Sequence, residues 1–154
     1  MAYIEAIHGL DEDCFLCRVV EHVEDDEANY VLARTERALV VLNAYPYNPG
    51  HLMIATTRHV GELEELDPDE LAEGSTLQQR SIRALKDAAN PDGFNVGLNL
   101  GRVAGAGVPG HLHWHVIPRW NGDTNFVTAV GETRVLPELL ADTYAKLRSA
   151  FGSS

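Results

Sequence analysis

The stretch Gly107-Val108-Pro109-Gly110-His111-Leu112-His113-Trp114-His115-Val116-Ile117-Pro118-Arg119-Trp120 decides the fold, because three histidines stand at every second position within it. Successive side chains of a β-strand point to opposite faces. One face would therefore carry His111, His113 and His115, and the other face would carry Leu112, Trp114 and Val116. The alternation predicts a strand with a row of imidazoles on one side and core side chains on the other.

A row of idle histidines on a surface strand is the alternative interpretation, and a single histidine on an apolar strand is usually a satisfied core residue. Three histidines in alternation are harder to explain in this way. Each imidazole has a donor and an acceptor to satisfy, and every buried group left unpaired costs about 1–3 kcal/mol. The pattern favours a reactive or metal-binding row.

The composition limits the classes of partner. The 154 residues are 45% hydrophobic, which predicts one folded domain with a real core. The formal net charge of −11 argues against a nucleic-acid polymer or an anionic membrane as partner, since both require excess Lys and Arg. A phosphate-bearing ligand would have to be held by backbone N–H groups and imidazoles. We therefore expect a small ligand in a closed pocket.

The sequence also predicts a cytoplasmic protein. The first ten residues include Glu5 and contain no long apolar run, so they do not resemble a secretory signal. No stretch approaches the roughly 18 apolar residues of a membrane span. The two cysteines, Cys14 and Cys17, are too close together to cross-link a fold, and they suit a reducing compartment. Such a pair binds metal, acts in redox chemistry, or simply packs as two small apolar residues.

The order of predicted elements indicates an α+β domain with an antiparallel five-stranded sheet and two main helices. Asp67-Pro68-Asp69-Glu70 combines a capping residue, a first-turn proline and a glutamate, and predicts a helix to about Ala89. The second helix is predicted over residues 136–151. Strands are predicted over residues 29–35, 37–43, 51–57 and 94–98, in addition to the histidine strand.

Two further expectations concern surfaces. The acidic residues Glu21, Glu24, Asp25, Asp26 and Glu27 are expected on a solvated face or loop. The long helix is expected to bury a stripe at helical spacing. Its members are Leu71, Leu77 or Gln78, Ile82, Leu85 and Ala89.

The histidine strand and its upstream signals resemble the histidine-triad (HIT) family of nucleotide-binding hydrolases and transferases. The motifs are His111-x-His113-x-His115 with Val116-Ile117-Pro118-Arg119, and upstream Asn43, Asn48-Pro49-Gly50-His51 and Asn99-Leu100-Gly101. The tail Asn121-Gly122-Asp123-Thr124-Asn125-Phe126 is similar to the branch of bacterial diadenosine tetraphosphate phosphorylases. The resemblance implies a single HIT-like domain over residues 1–154. Its core would span about residues 14–120, followed by a C-terminal loop and helix over 121–151, and its sheet would continue across a homodimer or larger homo-oligomer.

The resemblance also implies catalytic roles. His113 would attack the α-phosphorus of a nucleotide and form a nucleotidyl-histidine intermediate, and His115 would contact the phosphate oxygens. His51 would orient the histidine row through a hydrogen bond. A neutral imidazole can be a nucleophile when an acceptor holds its other ring nitrogen.

Nucleotide contacts are implied for residues around the row: Asn43, Asn99, His115 and the backbone N–H groups of Gly105, Gly107 and Val108. Asn43 would bind the ribose hydroxyls, and its alternative role is to cap a turn at the end of a strand. Asn99 could equally be part of an ordinary turn. The usual Ala-Gly-Gln-x-Val before the triad is replaced by Ala106-Gly107-Val108-Pro109-Gly110. Contacts to the leaving group would then come from backbone groups alone.

Some bacterial proteins of this family hold a structural zinc ion with two cysteines and two histidines. The resemblance implies the same site here, formed by Cys14, Cys17, His59 and His111. Two thiolates and two imidazoles suit a tetrahedral zinc ion and leave no open position for catalysis. We expect no organic cofactor.

Three functions fit these residues. The leading one is an enzyme that cleaves dinucleoside polyphosphates, with diadenosine tetraphosphate as substrate and phosphate or water as acceptor. The first alternative is a hydrolase of nucleoside 5′-phosphoramidates, and the second is a non-catalytic nucleotide- or zinc-binding module.

Overall fold

A computed structural model of the chain describes residues 13–123 and 137–152. Its centre is one antiparallel five-stranded sheet with the order β1-β2-β3-β5-β4, and the predicted fold class is confirmed. The strands are β1 Val31–Arg34, β2 Ala38–Leu42, β3 Leu52–Thr56, β4 Gly93–Leu98 and β5 His113–Arg119. The histidine strand β5 lies between β3 and β4, with Met53 opposite His115 and Ala55 opposite His113.

Within the described residues, three α-helices accompany the sheet: α1 Phe15–Glu21, α2 Pro68–Ala89 and α3 Pro137–Gly152. Helices α2 and α3 are the two predicted main helices, whereas α1 was not predicted. At seven residues, α1 is too short to show a helical period in the sequence. Predictions on residues 1–12 and 124–136 lie outside the described residues. No described helix is both long and apolar enough to cross a membrane.

The sheet has a different cover on each face. Leu112, Trp114 and Val116 belong to the main core, which also contains buried side chains of α2 and α3. A smaller core on the other face contains Cys14, Cys17 and neighbours from α1, β1 and β2. The predicted core face of the histidine strand is therefore confirmed, and the imidazole face lies on the side of the cysteines.

Helix α2 begins as predicted, but its buried stripe is displaced. Asp67 and Glu70 form the full capping box, yet Leu71 is 39% exposed and Ala89 is exposed. Of the predicted stripe, Leu77 and Leu85 are buried and Ile82 is partly buried. The side buried against the sheet carries Glu70, Gly74, Leu77, Ser81, Ala84 and Leu85.

The displacement arises because Gly74, Ser81 and Glu70 are buried. A hydrophobicity pattern does not assign such residues to a core. A Cβ on Gly74 would lie 2.8 Å from Cζ3 of Trp114, so only glycine lets the helix pass the indole. The hydroxyl of Ser81 donates to the carbonyl of Leu77 at 2.7 Å. The buried carboxylate of Glu70 accepts from Arg58 at 2.7 Å.

The acidic run is exposed as predicted, with one exception. Glu21, Glu24, Asp25 and Glu27 are exposed. Asp26 is partly buried, because it forms an ion pair of 2.6 Å with Arg34 of β1.

Candidate functional site

Five histidines form a row along β5 and the loops that flank β3 and β5. The ring centroids are 5.2 Å apart for His59 and His111, 5.0 Å for His113 and His115, and 5.0 Å for His115 and His51. The row ends in two cysteines beside His59 and His111. The fold thus brings together the histidines and cysteines that the sequence singled out.

The main chain fixes the protonation of His113. Its Nδ1 lies 2.9 Å from the carbonyl oxygen of His111. A carbonyl oxygen only accepts hydrogen bonds, so the hydrogen of the neutral ring must be on Nδ1. The Nε2 atom then carries the lone pair, which is the arrangement that a nucleophilic imidazole needs.

A chain of hydrogen bonds fixes His115 in the opposite form. The backbone N–H of Tyr47 donates to Nδ1 of His51 at 3.2 Å, so His51 must carry its hydrogen on Nε2. That Nε2 lies 2.8 Å from Nδ1 of His115, to which it donates. The remaining nitrogen of His115, Nε2, is consequently a donor. His113 thus offers a lone pair while its neighbour offers an N–H group.

The environment also keeps these rings neutral. Burial, together with the smaller effect of the nearby rings of His115 and His113, lowers the pKa of His51 to about 3. Burial, together with the proximity of His113, lowers the pKa of His115 to about 4. Both rings are therefore neutral at neutral pH.

Cys14, Cys17, His59 and His111 form a compact cluster, called here the Cys2His2 cluster. Their ligand atoms all lie within 4.8 Å of one another. Nδ1 of His111 is 3.5 Å from Sγ of Cys14 and 3.4 Å from Sγ of Cys17, and Nδ1 of His59 is 3.1 Å from Sγ of Cys17. A tetrahedral zinc ion holds sulfur and nitrogen ligands about 3.5 Å apart. The donor set and its spacing fit zinc.

The protonation of His111 and two nearby glycines suit the binding of a zinc ion at this cluster. Nε2 of His111 donates to the carbonyl of Thr56 at 2.6 Å, which leaves a lone pair on Nδ1 facing the thiols. A Cβ on Gly110 would lie 3.2 Å from Nε2 of His59, and one on Gly61 would lie 2.6 Å from the carbonyl oxygen of Pro109. The two glycines therefore allow the loop before β5 to pass close to His59.

The glycine loop before the triad is partly occupied by its own hydrogen bonds. The N–H of Gly105 donates to the carbonyl of Arg102 at 3.0 Å, so it does not face a ligand in this conformation. Among the described residues, no carbonyl accepts from the amides of Gly107 and Val108. A Cβ on Gly105 would lie 3.6 Å from Nδ2 of Asn99, which places Asn99 beside the loop.

The side chain of Asn43 lies at the other end of the row. Its Oδ1 accepts from the N–H of Tyr45 at 2.9 Å, and its Nδ2 is 3.4 Å from Nδ1 of His51. The turn-capping role considered for Asn43 is therefore present in the structure. Its role toward a ribose stays a prediction.

Sequence reasoning missed several residues that hold the row in place. The carbonyl of Thr56 and the amide of Tyr47 act through the main chain, which no side-chain pattern reveals. The ring of Tyr47 also packs on His51, with centroids 4.9 Å apart. Asn48 is 4% exposed and ties its loop to β5. The only signal for Asn48 was its place within the Asn-Pro-Gly-His motif.

A cavity elsewhere in the described residues does not identify this site. It measures about 880 Å³ and lies between β1 and α3, lined by residues such as Arg34, Tyr144 and Arg148. None of the five histidines lines it. The chemistry of the row, rather than the volume of a cavity, marks the candidate site.

Comparison with known proteins places this arrangement in a wider group. A family model described as the HIT domain matches residues 24–122. An AP-4-A phosphorylase of Mycobacterium tuberculosis is 52% identical over 118 residues, which cover 77% of this chain and 60% of that protein. This chain therefore spans about 60% of the length of that curated relative.

Two other similarities extend the comparison. An asymmetrical bis(5′-nucleosyl)-tetraphosphatase of Schizosaccharomyces pombe is 32% identical over 93 residues, covering 60% of this chain and 50% of that protein. A crystal structure of a Zn-bound histidine triad family protein from Mycobacterium smegmatis superposes with a TM-score of 0.74 and 27% identity. The superposition covers 92% of this chain and 94% of that one.

Proposed function

The chain belongs to the HIT family, and from this membership we propose that it is an enzyme that cleaves dinucleoside polyphosphates at the α-phosphorus. The observation that carries the proposal is the hydrogen bond from Nδ1 of His113 to the carbonyl of His111, which leaves the lone pair of Nε2 available. The similarity to an AP-4-A phosphorylase supports diadenosine tetraphosphate as the substrate.

In the proposed first step, Nε2 of His113 attacks the α-phosphorus and a P–N bond forms. The P–O bond to the rest of the substrate breaks, and the leaving oxygen departs with the bonding electron pair. The Nε2–H of His115 donates a hydrogen bond where negative charge develops on the phosphate. In an acidic protein, such fixed donors matter because the overall field repels the substrate.

In the second step, an oxygen of the acceptor attacks the nucleotidyl-histidine and breaks the P–N bond, and His113 returns to its neutral form. With phosphate as acceptor and diadenosine tetraphosphate as substrate, the products are ADP and ATP. With water as acceptor, they are AMP and ATP. The amides of Gly107 and Val108 and the side chains of Asn43 and Asn99 are proposed to bind the nucleotide.

The test is incubation with diadenosine tetraphosphate in the presence and absence of phosphate. Formation of ADP and ATP only with phosphate identifies a phosphorylase, and AMP with ATP identifies a hydrolase. No turnover under either condition contradicts the proposal. Faster turnover of a nucleoside 5′-phosphoramidate, compared by kcat/KM, would instead identify the alternative hydrolase.

The covalent intermediate provides a second measurement. Acid-quenched protein should carry a nucleotidyl group in the wild type and none in His113→Asn, as measured by mass spectrometry. His22→Asn is the matched control, because the side chain of His22 is exposed and contacts nearby Glu24 at 3.0 Å. An adduct that survives in His113→Asn would assign the nucleophile elsewhere. Tight nucleotide binding without any adduct in the wild type would favour a non-catalytic module.

We also propose that the Cys2His2 cluster binds one structural zinc ion. All four of its residues have the required donor atoms, and neither cysteine forms a disulfide bond. The fold similarity to a Zn-bound protein supports this. When bound, the ion would cross-link α1, the loop after β3 and the start of β5, and four protein ligands would leave it no catalytic position. Metal analysis of the purified protein should give one zinc per chain.

The assembly and location follow as further proposals. We propose a homodimer whose sheet continues through β4, because among the described residues this strand pairs only with β5 and Val96 within it is 45% exposed. Size-exclusion chromatography with light scattering tests this. We also propose a single domain in the cytoplasm, where a reducing environment would preserve the two thiols.

A further inference from the structure

Asn48 lies in the loop between β2 and β3, and its side chain is almost completely buried, with 4% exposed. Its Nδ2 donates both hydrogens, one to the carbonyl of Pro118 at 3.0 Å and one to Oδ2 of Asp123 at 2.8 Å. Pro118 belongs to β5, three residues after His115. The amide of Asn48 therefore joins its loop to the end of the histidine strand.

The carboxylate of Asp123 accepts hydrogen bonds from three residues. Besides Asn48, its Oδ2 accepts from the backbone N–H of Trp120 at 2.8 Å and from Nε of Arg119 at 3.2 Å. The side chain of Asp123 is only 12% exposed in its ion pair with Arg119. A carboxylate with this many donors holds its position more firmly than a neutral acceptor.

The loop that Asn48 secures is the one that sets the protonation of His51. Tyr47, immediately before Asn48, supplies the N–H that donates to Nδ1 of His51. The N–H of His51 in turn donates to the carbonyl of Asn48 at 3.1 Å. Gly50 holds a positive φ of 85°, and a Cβ there would lie 3.0 Å from Leu85. Gly50 therefore allows the tight turn of the chain between Asn48 and His51.

We propose that Asn48 and Asp123 are positioning residues for the reaction, because together they hold the loop that makes His115 a hydrogen-bond donor at Nε2. This proposal rests on the proposed function, in which that N–H faces the phosphate. Without the tie, the amide of Tyr47 is no longer held against His51. His51 would then retain at Nδ1 the longer contact of 3.4 Å from Nδ2 of Asn43, and His51 and His115 would exchange tautomers more readily.

The chain offers a matched control. Asp92 accepts from the backbone N–H of Asn121 at 2.8 Å, in the same turn in which Asp123 accepts from Trp120. Asp92 is exposed. Replacing Asp92 removes one carboxylate bond to this turn and leaves Asn48 tied to β5. A difference between substitutions at Asp123 and at Asp92 thus distinguishes positioning of the histidines from simple support of the turn.

The experiment compares Asp123→Ala, Asn48→Leu and Asp92→Ala in the full-length, zinc-supplemented protein. Ring-nitrogen NMR shifts of His51 and His115 report the tautomers without substrate. We expect wild-type shifts in Asp92→Ala and mixed tautomers in the other two variants. Turnover of diadenosine tetraphosphate should show kcat/KM lowered in proportion to the lost population of the competent tautomer, about tenfold for a tenfold loss.

Wild-type ring shifts in both Asp123→Ala and Asn48→Leu overturn the proposal, and so does an equal disturbance in all three variants. If Asn48→Leu does not fold, Asn48→Ala replaces it and is compared with Asp123→Ala. Because the ring spectra need no turnover, they still decide the question if the wild type fails to cleave the dinucleotide. Failure of the positioning role and failure of the proposed function therefore give different results.

Discussion

Lowering the pH should destabilise the fold through His51, which is completely buried. Its pKa is about 3 in the folded protein and about 6.5 in an unfolded chain. Between these values the unfolded chain binds a proton that the folded protein does not, so stability falls as the pH falls. The loss is about 1.4 kcal/mol per pH unit below about pH 6.5. Stability should be fully retained above that pH.

The assay is urea unfolding at about pH 7.5 and about pH 5.5, where His51 accounts for about 1.4 kcal/mol of the difference. Other groups titrate in this range, so the variant His51→Gln provides the reference. Burial and His113 lower the pKa of His115, and both remain in the variant. The wild type should lose about 1.4 kcal/mol more than the variant. Equal losses would refute the assignment of a neutral buried His51.

Three other perturbations test the Cys2His2 cluster and helix α2. A strong chelator should lower the unfolding free energy by about 2.7 kcal/mol, measured against protein in free zinc at about one hundred times its Kd. Glu70→Gln should cost about 1–3 kcal/mol in urea unfolding, because it weakens a buried charged hydrogen bond to Arg58. Gly74→Ala should cost about 1–2 kcal/mol, because the crowding against Trp114 exceeds the gain of at most about 1 kcal/mol in helix propensity.

Each of these has a reference measurement. In Cys17→Ala, which lacks one of the proposed zinc ligands, the chelator should lower the free energy of unfolding by less. Glu64→Gln changes an exposed carboxylate near the start of α2 and should leave stability within about 0.5 kcal/mol of the wild type. Ser75→Ala, at an exposed position beside Gly74, should be neutral or slightly stabilising. A stabilised Gly74→Ala would show that the indole can move aside.

Alternation and capping signals were sufficient to predict the sheet, the histidine strand and the start of α2. They succeed because strand and helix periods depend on which side chains are apolar. The buried stripe of α2 could not be predicted in the same way. Gly74 is buried because Trp114 needs the space, and Glu70 is buried because Arg58 neutralises it, and both partners are distant in sequence. Partners of this kind become visible only when the chain is folded.

The same limit applies to the site. The residue types and the resemblance to a family identified which histidines and cysteines to consider, and the structure brings them together. The protonation of each ring, however, depends on main-chain groups. A carbonyl at residue 56, a carbonyl at 111 and an amide at 47 act on His111, His113 and His51 respectively. Every residue has such groups, so a sequence gives no sign of which ones act.

Residue 111 connects the two parts of the row. Its side chain faces the thiols of the Cys2His2 cluster, while its carbonyl accepts the hydrogen of His113. Because this imidazole and this carbonyl belong to the same residue, a group that holds the ring of His111 also restricts the carbonyl that accepts from His113. An ion bound at the Cys2His2 cluster would thus also help to hold His113, the proposed nucleophile, two residues away. The three imidazoles differ in their hydrogen-bond partners, which are the carbonyl of Thr56 for His111, the carbonyl of His111 for His113 and the ring of His51 for His115.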